Sequence, residues 1–188
     1  EDTLFIESTN ISSLTVSATN VLGGTVVTGQ VNLTRPAGPT GLTIPITNTD
    51  PTAGVVTPST VIVAPGAVVG NFTVQTNLVP TTRSMTIATN KPGYSNKSAT
   101  ITVRAISANL VMNPNTVIGG LENSTGTIQL LGGEVAPPGG LRVNLVSSNP
   151  AVLSVPATVT VPVNSATVNF TATSSTTAID RTVTITAV

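Results

Sequence analysis

Short runs of alternating apolar and polar residues recur along the whole chain, separated by Gly, Pro, Asn and Asp. The clearest runs through Ala99, Ile101 and Val103, which face one way, while Thr100 and Thr102 face the other. That period of two is the signature of a half-buried strand. The first half of the chain predicts strands near Leu14 to Ala18, Thr28 to Thr34, Leu42 to Thr47, Thr60 to Val63, Gly70 to Thr76, Arg83 to Thr89 and Lys97 to Arg104. Helical spacing is absent, and Pro and Gly recur too often for long helices.

The pattern then repeats. Thr28-Gly29-Gln30-Val31-Asn32-Leu33 matches Thr125-Gly126-Thr127-Ile128-Gln129-Leu130. Pro58, Val61, Val63, Phe72 and Arg83 match Pro156, Val159, Val161, Phe170 and Arg181, all in the same order and at one offset. The chain therefore holds two copies of one module of roughly a hundred residues. Seven short strands per module predict an all-β fold of two tandem immunoglobulin-like β-sandwich domains. The expected boundaries are residues 1–10 for an extra N-terminal strand, 11–105 for the first domain and 106–188 for the second. The seventh strand of a module, G, is expected at a sheet edge beside the sixth, F. The linker around Ala105-Ile106-Ser107 carries no Gly, Pro or charge run, which predicts a stiff connection.

Composition narrows the chemistry. Aromatic residues make up only 2% of the chain, so the core must be aliphatic. Charged residues make up 7% and cancel to a net charge of zero, which leaves no electrostatic footprint for nucleic acid or anionic lipid. The same neutrality favours self-association. There is no Cys and no His, which removes the usual general base, the thiol nucleophile and the softer metal ligands. The acids Glu1, Asp2, Glu7, Asp50, Glu122, Glu134 and Asp180 are scattered, whereas calcium needs several carboxylates close together. The glycine pairs precede no predicted helix, so no phosphate cradle is expected. No run approaches the ~18 apolar residues of a membrane span, and Glu1-Asp2 does not open a signal peptide. We expect no enzyme, no catalytic or metal site and no cofactor. The Thr-, Asn- and Ser-rich, charge-poor surface points to an extracellular or cell-surface location.

A family resemblance agrees with this. Ser148-Asn149-Pro150-Ala151-Val152-Leu153-Ser154-Val155-Pro156, then Val159-Thr160-Val161-Pro162 and Ala166-Thr167-Val168-Asn169-Phe170-Thr171, resembles the bacterial Ig-like repeats of surface and secreted proteins. Gly23-Gly24-Thr25-Val26-Val27-Thr28-Gly29-Gln30-Val31-Asn32-Leu33 is similar to the opening of such repeats. The resemblance covers nearly all of both copies and implies spacers, adhesin stalks or fibre units. Asp50-Pro51-Thr52-Ala53-Gly54-Val55 departs from the family pattern, and a local loop is expected there.

The two copies are cut out of phase. Arg83-Ser84-Met85-Thr86-Ile87-Ala88 is followed by the turn Asn90 to Asn96 and by strand G. The matching Arg181 to Val188 is followed by nothing in this sequence, so the second domain is expected to lack strand G. Conversely, aligning Ile11-Ser12 with Ile106-Ser107 places Leu4 on Ala99 and Ile6 on Ile101. Thr3, Leu4, Phe5, Ile6, Glu7, Ser8 and Thr9 thus read as a surplus strand G. They form a candidate donor strand for an acceptor edge at Arg181, Val183, Ile185, Ala187 and Val188 of another copy. Head-to-tail repetition of that contact gives a filament. The expected function is a structural subunit of an extracellular filament or pilus joined by donor-strand complementation, more loosely similar to archaeal thread subunits. Its partners are other copies of itself, and cell-surface or matrix components are further candidates. The alternatives are a two-module piece of a long Ig-like adhesin or surface stalk, and a local strand folding back on its own module. Sequons at Asn10, Asn32, Asn71, Asn96, Asn123 and Asn169 are candidate N-glycosylation sites. Asn71 and Asn169 are equivalent positions beside Phe72 and Phe170, expected to point outward if the rings point inward.

Overall fold

A computed structural model describes residue 4 and residues 8–188. The chain divides into two compact units between Ala105 and Ile106. Among the described residues, both are built only from strands, turns and loops.

Unit 1 contains β1 (Ile11–Val16), β2 (Asn20–Leu22), β3 (Val26–Leu33), β4 (Leu42–Asn48), β5 (Gly54–Thr57), β6 (Thr60–Val63), β7 (Val69–Thr76), β8 (Arg83–Thr89) and β9 (Ser98–Arg104). One sheet has the order β1-β3-β7-β5 and the other β2-β9-β8-β4-β6. The period of two sets which side chains go inside. In β3, Val27, Val31 and Leu33 are buried while Thr28 and Gln30 are exposed. In β7, Phe72, Val74 and Thr76 are buried between exposed Asn71, Thr73 and Gln75. The inner faces of both sheets meet in one aliphatic core that includes Ile44, Val61, Met85, Ile87, Ile101 and Val103, all fully buried. Buried Thr76 is satisfied locally, its Oγ1 donating to the Thr25 carbonyl at 2.7 Å and accepting from Thr25 N–H at 2.9 Å.

Unit 2 repeats this plan with fewer strands: β10 (Ala108–Asn113), β11 (Ser124–Leu130), β12 (Leu141–Ser147), β13 (Leu153–Ser154), β14 (Thr158–Val161), β15 (Thr167–Ser174) and β16 (Ile185–Ala187). Its sheets are β10-β11-β15-β13 and β14-β12-β16. The first matches the four-stranded sheet of unit 1 strand for strand. The second keeps the counterparts of β6, β4 and β8 and lacks those of β9 and β2.

The structure corrects four sequence-based expectations. The described residues of unit 1 form nine strands rather than seven, because β2 and β5 are too short to show a period of two. Part of the expected loop around Asp50 to Val55 belongs to β5, which pairs with β7. Strand β9, the expected edge strand G, is interior: β8 flanks it antiparallel and β2 flanks it parallel. Finally, only Ile185–Ala187 of the run Arg181 to Val188 forms a strand.

The last difference has a simple cause. Strand β4 pairs with β8 only through Ile46↔Thr89, Thr47↔Ala88 and Asn48↔Ile87. Residues 83–86 of β8 are held in the sheet by β9, through Arg83↔Val103, Met85↔Ile101 and Thr86↔Thr100. Strand β12 likewise pairs with β16 only through Leu145↔Ala187, Val146↔Thr186 and Ser147↔Ile185. With no counterpart of β9 in unit 2, residues 181–184 have no ladder to join.

Candidate functional site: an open groove in unit 2

The place that β9 fills in unit 1 is a groove in unit 2. Its floor is a cavity of about 170 Å³ in which Leu110, Met112, Val117, Leu153, Val183 and Ile185 line the wall together with Asn115 and Ser124. A wider cavity of about 590 Å³ adjoins it along residues 179–183 and 115–119. The repeat shows what is missing. Met85 and Ile87 are fully buried beneath Ile101, while their counterparts Val183 and Ile185 remain half-exposed. Leu14 is buried in unit 1, and its counterpart Leu110 is half-exposed.

Both rims of the groove carry backbone with open hydrogen-bonding capacity. On one rim, Ser148 N–H donates to the Thr184 carbonyl at 2.9 Å, and Val188 and Asn144 exchange bonds of 2.9 Å each. Residues of that parity therefore face β12. The backbone groups of Val183, Ile185 and Ala187 face the other way, into the groove. In unit 1 the same parity, Met85 and Ile87, faces Ile101 and Ala99 of β9.

The other rim was not legible in the sequence. Asn20-Val21-Leu22-Gly23-Gly24 matches Thr116-Val117-Ile118-Gly119-Gly120. The first three form β2 and pair with Thr102, Val103 and Arg104 of β9, and Thr102 N–H donates to the Thr19 carbonyl at 2.8 Å. Residues 116–118 form no strand, and Ile118 is 60% exposed. The repeated Val-Ile/Leu-Gly-Gly was the available signal, but three residues before a glycine pair look like a turn without their partner strand.

The predicted acceptor residues thus fall into two groups. Val183, Ile185 and Ala187 lie on the groove rim or floor. Arg181 lies at the mouth of the wider cavity. Val188 is exposed and its backbone faces β12. Of the predicted donor residues, Thr3, Phe5, Ile6 and Glu7 lie outside the described residues. Leu4, Ser8 and Thr9 belong to no strand, and Leu4 is 87% exposed.

The described part of the N-terminal segment is anchored to one end of unit 1. Thr9 Oγ1 donates to the Pro36 carbonyl at 3.3 Å. Asn10 N–H donates to Thr34 Oγ1 at 2.9 Å, and Asn10 Oδ1 accepts from Ser95 N–H at 2.8 Å. Ser95 sits in the turn just before β9. Ala105, where unit 1 gives way to unit 2, follows the opposite end of that strand.

The candidate glycosylation sites sit on the surface. Asn71, Asn96, Asn123 and Asn169 are exposed, and Asn10 and Asn32 are half-exposed. Phe72 and Phe170 point inward, so Asn71 and Asn169 point outward. Asn169 Oδ1 accepts from Thr127 Oγ1 at 2.9 Å, and Asn32 Nδ2 donates to Ser13 Oγ at 2.9 Å.

Among the described residues, no group of three or more His, Cys, Asp and Glu is arranged to hold a metal ion. Among them, no helix is long and apolar enough to cross a membrane. One carboxylate is perturbed. The Asp50 carboxyl is held below its ordinary range first by Thr52, whose hydroxyl and N–H both donate to Oδ1, with Arg83 Nη1 donating to Oδ2 at 3.1 Å. This ties a loop to β8 and is structural.

No family model matches the chain, and no curated protein matches it in sequence. Among solved structures, it is similar to the D0-D1 domain of intimin, with 13% identity over 94% of this chain and 90% of that one and a TM-score of 0.42. It is also similar to the Yersinia pseudotuberculosis adhesin InvE, with 12% identity over 88% of this chain and 53% of that one and a TM-score of 0.37. The D00-D0 domain of intimin is similar at 14% identity over 86% of this chain and 85% of that one, with a TM-score of 0.35.

Proposed function

We propose that the chain is a non-enzymatic structural element of an extracellular stalk or fibre. In this reading its second Ig-like sandwich is completed by a β-strand that residues 106–188 do not themselves provide. The observation that carries this is the groove of unit 2. It has half-exposed aliphatic side chains on its floor and two backbone rims, and it lies where the repeat places β9 in unit 1. A slot with backbone hydrogen-bonding groups on both sides and side-chain pockets between them suits an added strand better than a small molecule. An adhesin stalk of tandem modules and a filament of separate subunits are both built this way. They differ in whether the strand arrives on the same polypeptide or on another.

The test is to supply the strand directly. Appending residues 91–104 after Val188 places a copy of the unit 1 turn and of β9 next to the groove. Thermal unfolding of unit 2 is expected to rise by at least about 5 °C, since two aliphatic side chains are buried and two ladders form. Amides 181–187 are expected to gain protection from hydrogen exchange. If both quantities stay unchanged, the groove is not a strand slot. Antibodies against the native chain should also label intact cells of the source; labelling only after lysis would contradict the extracellular placement.

A further inference from the structure

The slot in unit 2 has a fitting occupant within the same sequence. We infer that it takes residues 1–7 of a second copy of this chain, antiparallel to residues 181–186 and parallel to residues 116–118. This rests on the strand-slot reading above and adds the partner and the register.

The register follows from the repeat. The Asn10 carbonyl accepts from Thr34 N–H as the Ser107 carbonyl accepts from Leu131 N–H, and Ile11 pairs with Leu33 as Ala108 pairs with Leu130. Asn10 is therefore the counterpart of Ser107, and the alignment of Ile11-Ser12 with Ile106-Ser107 is out by two residues. Counting back from Asn10 puts Leu4 at the place of Ile101 and Ile6 at that of Val103. Met85 faces Ile101 and Arg83 faces Val103 across the β8–β9 ladder. Their counterparts are Val183 and Arg181. Leu4 therefore faces Val183 and Ile6 faces Arg181. On the other rim, Asn20 pairs with Thr102 and Leu22 with Arg104. The counterparts pair Thr116 with Phe5 and Ile118 with Glu7.

The fit is chemical as well as positional. Leu4 stands for the buried Ile101 at equal size, and Ile6 is one methylene larger than the buried Val103 while Val183 is smaller than Met85, so side-chain volume is nearly conserved. Leu4, 87% exposed, leaves a large aliphatic side chain without cover in the single chain.

The repeat favours a second copy over the same chain. Strand β9 completes the sandwich that precedes β10 in sequence, so the segment before β1 answers to a module that precedes unit 1, as unit 2 of another copy can. Because donor and acceptor are different surfaces, the contact repeats head to tail.

The chain has no Cys, which makes cross-linking clean. In unit 1 the outward hydroxyls of Thr86 and Thr100 lie 3.2 Å apart across the ladder. Their counterparts are Thr184 of the acceptor and Thr3 of the donor. Full chains carrying Thr3→Cys and Thr184→Cys, mixed under mild oxidation, are expected to form a disulfide-linked heterodimer. Phe5→Cys mixed with Thr184→Cys, two residues out of register, is expected to stay largely unlinked. A fluorescent peptide of residues 1–9 is expected to bind a chain lacking residues 1–8. Leu4→Asp or Ile6→Asp in the peptide weakens binding by at least about tenfold.

Failure has two distinguishable forms. If appended residues 91–104 stabilise unit 2 while the peptide does not bind and no register-specific cross-link forms, the slot stands and this occupant is wrong. If the appended strand has no effect either, the slot itself is wrong. Native material is expected to fall apart into separate subunits in hot denaturant. A far larger chain of many modules would overturn donation between copies.

Discussion

At the scale of single residues, the most constrained feature is an aromatic ring laid over a glycine, present in both units. Gly29 pairs with Phe72 across β3 and β7, and Gly126 pairs with Phe170 across β11 and β15. A Cβ added at either glycine would overlap the ring. Gly126→Ala is therefore expected to destabilise unit 2 by about 1–3 kcal/mol through overpacking, measured by denaturant unfolding. Asp50 supports a second prediction. Its carboxyl is lowered from 3.8, so the folded state favours the ionised form. That stabilisation is fully present above the unfolded value and is lost as pH falls through the folded one. A small loss of unit 1 stability is expected below about pH 4, and Asp50→Asn should remove it. Unit 2 carries Asn149 at this position and should lack the dependence.

At the scale of elements, the contrast between β8 and β16 shows how much of a strand is made by its neighbours. Seven residues of β8 are extended because β9 lies alongside; three residues of β16 are extended because only β12 does. The energetic counterpart is testable at matched positions. Ile87→Ala removes a fully buried side chain and is expected to cost about 2–5 kcal/mol. Ile185→Ala removes a half-exposed one and should cost distinctly less. Once the slot is filled by an appended strand, the cost of Ile185→Ala should approach that of Ile87→Ala. Equal costs without the added strand would mean that Ile185 is already fully packed.

At the scale of the whole molecule, two copies of one module carry unequal cores. Unit 1 closes over Ile101 and Val103; unit 2 has no side chains in those places. Calorimetry of the single chain is expected to show unit 2 unfolding first and unit 1 following at higher temperature. Filling the slot should raise the first transition and leave the second in place. A single transition unaffected by the added strand would contradict this division of stability.

The sequence by itself determined the fold class, the two-module organisation and the inward or outward direction of most strand residues. Period-two alternation and repeat landmarks such as Phe72 and Phe170 are local and survive without coordinates. It also marked Val183 and Ile185, because their repeat partners Met85 and Ile87 face a strand that residues 106–188 do not supply. Tertiary structure alone decided that β9 is an interior strand, that Asn20–Leu22 is its parallel neighbour, and that residues 116–118 form the second rim of the groove. The physical reason is that a three-residue strand has no period of its own. It exists through hydrogen bonds to a distant partner, so its presence in unit 1 and its absence from unit 2 are properties of the assembled sheet.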